Sequence, residues 1–429
     1  MKSVTRIAMV VAAAGCAFPA LAEDVGQVTI FGKTYDVQRF DTAEIVVPDL
    51  KTPGRTLNMI EPEGAIYVGN NKIFLETRKG NDPLFGAPAS FPWYAIEINL
   101  DTNGSGVVTG ISFSRNILCL DASIPNVPSA GPGGAANAQF NGSRGFTLNT
   151  SNTGIGAGGN IVMARSGNTA NPIIAGFNAS GANPAGTNIL PGWASISPNS
   201  NCEDIAFNPQ LNEFWTVWQP GNAIVRVTST GSAVSPNIAI NASRDNTLVG
   251  NAAKGIAYMG PSQLWPTGLQ NGVMLVAMDD LQPGLEAYDA QTGAFIARQP
   301  LTDTDNAATG NSLLPLDVVN FGQLQLESLT ADPATGRLFL VNQGAAFDGN
   351  YLYILNPVST GPVCNDLDFN NDGNIEPGDV DAYFSVLGEG PCLGGSSCDS
   401  LDFNNDGNIE PEDVDAYFSV LGEGPCVNN

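Results

Sequence analysis

The sequence predicts a mainly β protein that ends in a small helical module. Three observations carry this reading. Short runs of β-branched and aromatic residues, set between turn signals, fill most of the chain, and 49 of its 429 residues are Gly and 29 Pro. Charged residues make up only 14%. Helical periodicity is missing until the C-terminal end, where it occurs twice, in two near-identical segments.

The chain starts MKSVTRIAMVVAAAGCAFPALA, with Lys2 and Arg6 ahead of the apolar run from Ile7 to Pro19 and a small-x-small site at Ala20-Leu21-Ala22. Residues 1–22 read as a secretory signal peptide, which implies a secreted or cell-surface protein. Acylation at Cys16 is the alternative, but Ala13 stands where such sites usually carry Leu. No later stretch approaches eighteen consecutive apolar residues, so no membrane span is expected.

Loss of the leader's two basic residues takes the formal net charge from −25 to −27. Such acidity excludes nucleic acid as a partner, because phosphate binding needs clustered Lys and Arg. Residues 361–429 hold fifteen Asp and Glu and no Lys or Arg, so cations are the natural partners of that segment. There is no histidine, which removes Ser-His-Asp and Cys-His hydrolysis and His-ligated zinc or copper.

Six cysteines remain after the leader, an even number that suggests disulfides in an exported protein. Cys364 to Cys392 and Cys398 to Cys426 are equal intervals around equivalent repeats. They are the favoured bridges, which leaves Cys119 to Cys202 by elimination. A single Cys392–Cys398 link is the alternative.

Residues 23–360 are long enough for a large all-β body. Strand pairs are legible at Ala65–Val68 with Lys72–Leu75, Glu213–Trp218 with Ala223–Val227, and Arg337–Val341 with Tyr351–Leu355. A longer unit recurs over them. Glu203-Asp204-Ile205-Ala206-Phe207-Asn208-Pro209 and Glu327-Ser328-Leu329-Thr330-Ala331-Asp332-Pro333 each give a strand, a turn at Pro and a second strand, with weaker copies at Glu63 and Gly255. Small antiparallel sheets repeated in this way pack radially. These segments resemble blades of extracellular propellers of the NHL, SdiA-regulated and phytase-like type, and the resemblance implies a six- or seven-bladed β-propeller. A pair of β-sandwiches is the competing fold. Residues 129–192, rich in Gly, Asn, Ala, Ser and Pro, have no assigned organisation.

Two loops follow, beginning at Asp368 and, thirty-four residues later, at Asp402; from Leu367 to Cys392 and from Leu401 to Cys426 the copies differ only at Gly378 and Glu412. Oxygen-bearing side chains fall at loop positions 1, 3, 5 and 12, with Gly at 6 and Ile at 8. That is the EF-hand pattern for calcium, which takes six to eight hard oxygens, one of them a main-chain carbonyl at position 7. The expected ligands are Asp368, Asn370, Asp372 and Asp379 for one ion and Asp402, Asn404, Asp406 and Asp413 for a second, with Asn374 and Asn408 giving main-chain oxygen. Pro377 and Pro411 suit a first helical turn, and Gly388 and Gly422 its end. Val380, Tyr383, Phe384 and Leu387 share one helical face, as do Val414, Tyr417, Phe418 and Leu421; the two faces are expected to pack together.

Asp at position 12 and the lack of an entering helix make residues 361–429 resemble a dockerin. The Cys-bracketed form, residues 364–426, is similar to the dockerin-like anchoring modules of planctomycete exported proteins. The resemblance implies two Ca2+ ions and a cohesin-like or cell-surface protein as partner. Pro377-Gly378 and Pro411-Glu412 stand where cellulosomal dockerins choose their cohesin, and this departure leaves the partner open.

For the body, a recognition face for glycan or peptide is the simpler expectation, with Trp93, Tyr94 and Trp215 as candidates and core packing as their competing role. Catalysis would rest on carboxylates, of which Glu63, Glu203 and Glu327 begin equivalent inner strands. Asp279-Asp280 and Asp303-Thr304-Asp305 are further candidates. A purely structural envelope or matrix protein is the third option.

Overall fold

A computed structural model describes residues 20–48, 56–59, 62–77, 94–103, 107–119, 143–155, 157–165, 174–177, 201–219, 223–240, 253–278, 283–302, 313–314, 326–343, 350–358, 367–372, 374–375, 377–394, 398–404, 409 and 411–422. The chain divides into two units, Met1–Pro357 and Val358–Asn429. Among the described residues no helix is long and apolar enough to cross a membrane.

The larger unit is built of antiparallel sheets. It begins with β1 (Ala20–Leu21), β2 (Glu23–Ile30) and β3 (Lys33–Asp41), then a 3-10 turn at Thr42–Glu44 and a ribbon of β4 (Val46–Pro48) and β5 (Thr56–Asn58). The first large sheet holds β6 (Pro62–Gly69), β7 (Lys72–Thr77), β8 (Tyr94–Thr102) and β9 (Val108–Cys119), with β1 on its outer edge. The second holds β10 (Ser143–Asn149), β11 (Asn160–Arg165) and β12 (Ile174–Phe177). Residues 129–192, left open by composition, thus contain a sheet of their own.

The third sheet is β13 (Asn201–Asn208), β14 (Glu213–Gln219), β15 (Ala223–Thr228) and β16 (Ala233–Ala239), and the fourth is β17 (Ala253–Met259), β18 (Val273–Met278), β19 (Gly284–Asp289) and β20 (Phe295–Pro300). The fifth is β21 (Leu326–Asp332), β22 (Arg337–Asn342) and β23 (Tyr351–Pro357), to which β3 and then β2 are added, with Asp41 opposite Tyr351.

Five hydrophobic clusters occupy the spaces between successive sheets. Phe74 and Ile117 meet Phe146 and Ile161; Val162 meets Phe207 and Phe214; Trp215 and Val217 meet Ile256 and Met274; Leu275 and Leu285 meet Leu329 and Leu340; Val341 and Ile354 meet Ile73 and Ile96. The last cluster returns to the first sheet, so the ring is closed. Sheets buried on both faces explain the near-continuous apolar runs, such as Val273–Met278, every residue of which is buried.

This is a propeller-like arrangement, with β6, β10, β13, β17 and β21 innermost and each in contact with the next. The described residues supply five sheets to the ring, where six or seven were expected. The N-terminal hairpin accounts for part of the difference, since β2 and β3 are outer strands of the last sheet and begin no blade.

The repeated turn has a physical basis. Asn208 accepts the Gln210 N–H at 3.1 Å and donates to the Ala290 carbonyl at 2.6 Å, while Asp332 accepts from Ala334 N and Thr335 Oγ1 at 3.1 and 2.6 Å. Four residues after each, Asn212 and Gly336 have φ of 56° and 70°, which suits residue types tolerant of the left-handed region.

In the smaller unit, α1 (Pro377–Leu387) and α2 (Pro411–Leu421) start at the expected prolines and stop before the expected glycines. Tyr383 and Tyr417 stack at 4.6 Å, and each receives a phenylalanine edge-on, Phe369 and Phe403 respectively, at 5.0 Å. The predicted face is buried only in part. Phe384, Leu387, Phe418 and Leu421 are exposed, because a short helix meeting one partner covers a narrow stripe, here filled by Ala382, Tyr383, Ala416 and Tyr417.

The cysteine pairing follows the alternative expectation and not the favoured one. Cys392 is bonded to Cys398, so neither repeat closes its own bridge, and Cys202 is a buried free thiol with no bond to Cys119. The short linker between the repeats brings Cα392 and Cα398 to 5.5 Å, a separation that a disulfide spans. Cys364 and Cys426 lie outside the described residues.

Candidate functional site

The paired loops owe their shape to side chains that bend the backbone inward. Asp368 Oδ1 and Asn370 Oδ1 both accept the N–H of Asp372 at 3.0 Å, so the oxygens of positions 1 and 3 converge on one point. Asp372 Oδ1 in turn accepts the Asn374 N–H at 2.9 Å. From α1, Asp379 Oδ1 accepts the Asn370 N–H at 3.2 Å, and from α2, Asp413 Oδ1 accepts the Asn404 N–H at the same distance. Asn370, Asp379, Asn404 and Asp413 are each 1% exposed.

The two loops are also linked across the helix pair. Burial, then Asp413, pushes the Tyr383 hydroxyl up to about 12, and burial, then Asp379, does the same to Tyr417. Each tyrosine therefore feels the position-12 acid of the other repeat. In the second loop Asp402, Asn404 and Asp413 are described, whereas Asp406 and Asn408 lie outside the described residues. Among the described residues no group of three or more Asp, Glu or Cys forms a ready cage. The first expected ligand set includes three acids, Asp368, Asp372 and Asp379, and the structure does not gather them into such a group.

In the larger unit Glu63, Glu203 and Glu327 do take equivalent places, for a reason the local pattern does not contain. Every innermost strand carries a bulge near its start, and the extra residues are Glu63, Arg144, Glu203, Lys254 and Glu327. Lys254 Nζ lies 3.3 Å from Glu327 Oε1 and 3.7 Å from Glu203 Oε2, and Gln343 donates to Glu63 at 2.9 Å. All three glutamates and Lys254 are buried.

The next residue in each strand sits where the ring is narrowest. A Cβ on Gly145 would lie 2.0 Å from Asp204 Oδ1, and one on Gly255 would lie 2.8 Å from the Ser328 Cα. Asp204 fills the gap. It accepts from Ile205 N, Ile256 N and Ser328 Oγ at 2.8, 3.0 and 3.1 Å, and burial pushes its carboxyl well above the usual range despite these donors.

Below this level the axis widens into a cavity of about 280 Å3, lined by all five innermost strands. Exposed Thr150, Pro209 and Pro333 stand at its mouth. Hydroxyls join the strands around it, with Thr330 Oγ1 accepting the Tyr67 N–H at 2.9 Å and Thr147 Oγ1 the Phe207 N–H at 3.1 Å.

Of the aromatic candidates, Trp215 is fully buried and donates to Glu213 at 3.0 Å, so it is a core residue. Trp93 lies outside the described residues, as do Asp279, Asp280, Asp303 and Asp305, and Tyr94 is placed only as the first residue of β8. The sequence reading missed Arg144, Lys254 and Asp204. The signal was present as a charged residue before Gly, Asp or Ser in every copy: Glu63-Gly64, Arg144-Gly145, Glu203-Asp204, Lys254-Gly255 and Glu327-Ser328.

No family model and no curated protein matches this chain. Among solved structures it is similar to the tail fiber of Staphylococcus aureus phage P68, at 10% identity and TM-score 0.40, covering 75% of this chain and 53% of that one. It is also similar to regucalcin, a calcium-binding protein from Agrobacterium tumefaciens, at 12% identity and TM-score 0.35, covering 80% and 92%. A luciferin-regenerating enzyme gives 10%, 0.35, 80% and 94%. The chain spans about half the length of the tail fiber and 34% of an extracellular domain from B. thetaiotaomicron that it also matches. Likenesses of this size say nothing of what the chain binds.

Proposed function

We propose that this is an exported protein whose residues 364–426 bind two calcium ions and act as a dockerin-like anchoring or assembly module, while its propeller-like body is a binding domain. The observation that carries the reading is the matched geometry of the two repeats. Asp379 and Asp413 are buried, hold equivalent loop amides and lie across from each other's tyrosine. Residues 361–429 contain no Lys or Arg, and a divalent cation is the natural counter-charge for acids held there.

Asp368, Asn370, Asp372 and Asp379 would hold one ion, and Asp402, Asn404, Asp406 and Asp413 the other. Asn374 and Asn408 would contribute main-chain oxygen; the Asn374 side chain donates to Asp372 at 3.3 Å, which keeps its amide out of the ligand set. The partner is expected to be a cohesin-like or cell-surface protein, and a glycan or peptide is the expected ligand of the body.

Calorimetry decides the metal reading. Two calcium sites per chain are expected, removed by EDTA and reduced to one by either Asp368→Ala or Asp402→Ala. Absence of both heat and thermal stabilisation would defeat it. A pull-down with the full chain, with and without calcium, then tests anchoring, and a glycan array tests the body.

Export predicts a mature N-terminus at Glu23, the first residue of β2, whose carboxylate meets Arg39 at 2.5 Å. Cleavage there would remove β1. The hydrolase alternative draws no support from Glu203 and Glu327, which share Lys254 and are 1% and 4% exposed. Turnover of a glycan or phosphoester that is lost in Glu203→Gln or Glu327→Gln would reverse that preference.

A further inference from the structure

We propose that the axial cavity is a binding site for one small uncharged molecule built on a single aromatic ring or branched aliphatic group. This names a ligand class for the body read above as a binding domain, and it rests on that reading. Calcium binding by the C-terminal repeats is independent of it.

The walls define the chemistry. None of the residues lining the cavity is charged, and Ile66, Leu148, Ile205, Ile256 and Leu329 set its character. Its polar side chains are already engaged. Thr147 and Thr330 hold the amides of Phe207 and Tyr67. The hydroxyl of Tyr258 is influenced by Gln210 and that of Tyr67 by Asp332, and neither of these residues lines the cavity. What the two tyrosines offer inward is ring. A charged ligand would lose its water and meet no counter-charge.

Volume defines the size. Apolar cavities of about 150 Å3 accept benzene, and drug-sized ligands take about 300 Å3 or more. At about 280 Å3 the space suits one substituted ring. Asp204, tied to Ile256 and Ser328, precedes the lining residue Ile205 and is not itself part of the lining. Exposed Thr150, Pro209 and Pro333 rim the cavity. The ring is also braced against collapse, because each sheet is packed on both faces by its neighbours.

The test is a 19F NMR titration of the full chain with 4-fluorotoluene, competed by indole and by isobutylbenzene, with 4-fluorobenzoate as the charged analogue. Saturable binding of one fluorotoluene per chain is expected, displaced by at least one competitor, with fluorobenzoate at least about tenfold weaker. Ala257→Phe, which puts a ring into the cavity, should abolish binding while calcium heats stay unchanged. If that variant fails to fold, Ile66→Trp, at a half-buried wall position, serves in its place.

Absence of saturable binding by the unaltered chain overturns the proposal. So does equal binding by a folded cavity-filled variant, or fluorobenzoate binding as tightly as fluorotoluene. A glycan or peptide found on the array in spite of such a result would leave the body a binding domain with its site elsewhere.

Discussion

Lys254 shows what a single buried charge does at the axis of this ring. It lies within 4 Å of two buried carboxylates, Glu203 and Glu327, contributed by the sheets on either side of its own. Removing it takes a cation from between like charges in a medium of low dielectric, so Lys254→Met is expected to destabilise the body by about 3 kcal/mol or more. The triple variant with Glu203→Gln and Glu327→Gln should recover much of that loss. Urea denaturation of the three proteins measures both.

Glu97 makes the complementary case at the periphery. Burial works to raise its pKa, but Lys72, Arg115 and Ser114, at 2.6, 2.9 and 2.8 Å, bring it down to about 2. A carboxyl depressed in the folded state stabilises fully above its unfolded value near 4.5 and loses that stabilisation as pH falls toward 2. Lys72 and Arg115 are 39% and 45% exposed, so the contribution is on the order of 1 to 2 kcal/mol after screening. Thermal midpoints of Glu97→Gln should therefore converge on those of the unaltered chain between pH 4.5 and 2. A constant gap across that window would contradict the assignment.

Elements carried different amounts of their own explanation. The helices were legible to the residue because Pro377 and Gly388, or Pro411 and Gly422, act within a single turn. β22 and β23 were legible because both faces are buried and their apolar runs are unbroken. The bulges were not, since an extra residue leaves the apolar pattern of a doubly buried strand intact and shows only in register. Nor was the exposure of Phe384 and Phe418, whose rings stand 5.9 Å apart on the open side of the helix pair. Periodicity assigns a face to a helix and does not say how wide a neighbour covers it.

Strand-to-strand stapling by hydroxyls is testable at this scale. Thr330→Val keeps the shape of the side chain and leaves the Tyr67 N–H without its acceptor, at an expected cost of about 1 to 3 kcal/mol with an unchanged denaturant slope. In the helical module, Tyr383→Ala removes one half of the central stack, contacting both Phe369 and Tyr417. A loss of about 3 to 5 kcal/mol is expected, and with it weaker calcium binding at both loops in calorimetry.

For the molecule as a whole, the two units have separate cores. The cluster around Tyr383 and Tyr417 contains only residues of the second unit, and the five clusters of the ring contain only residues of the first. Scanning calorimetry of the full chain should show two transitions, of which EDTA lowers only the one that is absent from a chain ending at Pro357. A single transition that shifts as one body would contradict this. The ring itself could be inferred from repeated strand-turn-strand units, but its closure could not, because nothing local to Lys33–Asp41 announces a partner at Tyr351–Pro357.

That seam bears on how such a chain could be delivered. A polypeptide threaded through a membrane from its N-terminus presents β2 and β3 first, and the strand they must join is the last of the body to emerge. Until Pro357 is through, β3 has an open edge and the ring has no lock. If the chain is exported as proposed, its folding is tied to the completion of transport and not to its progress. The acidic repeats, which follow the seam in sequence, arrive only after the body has everything it needs to close.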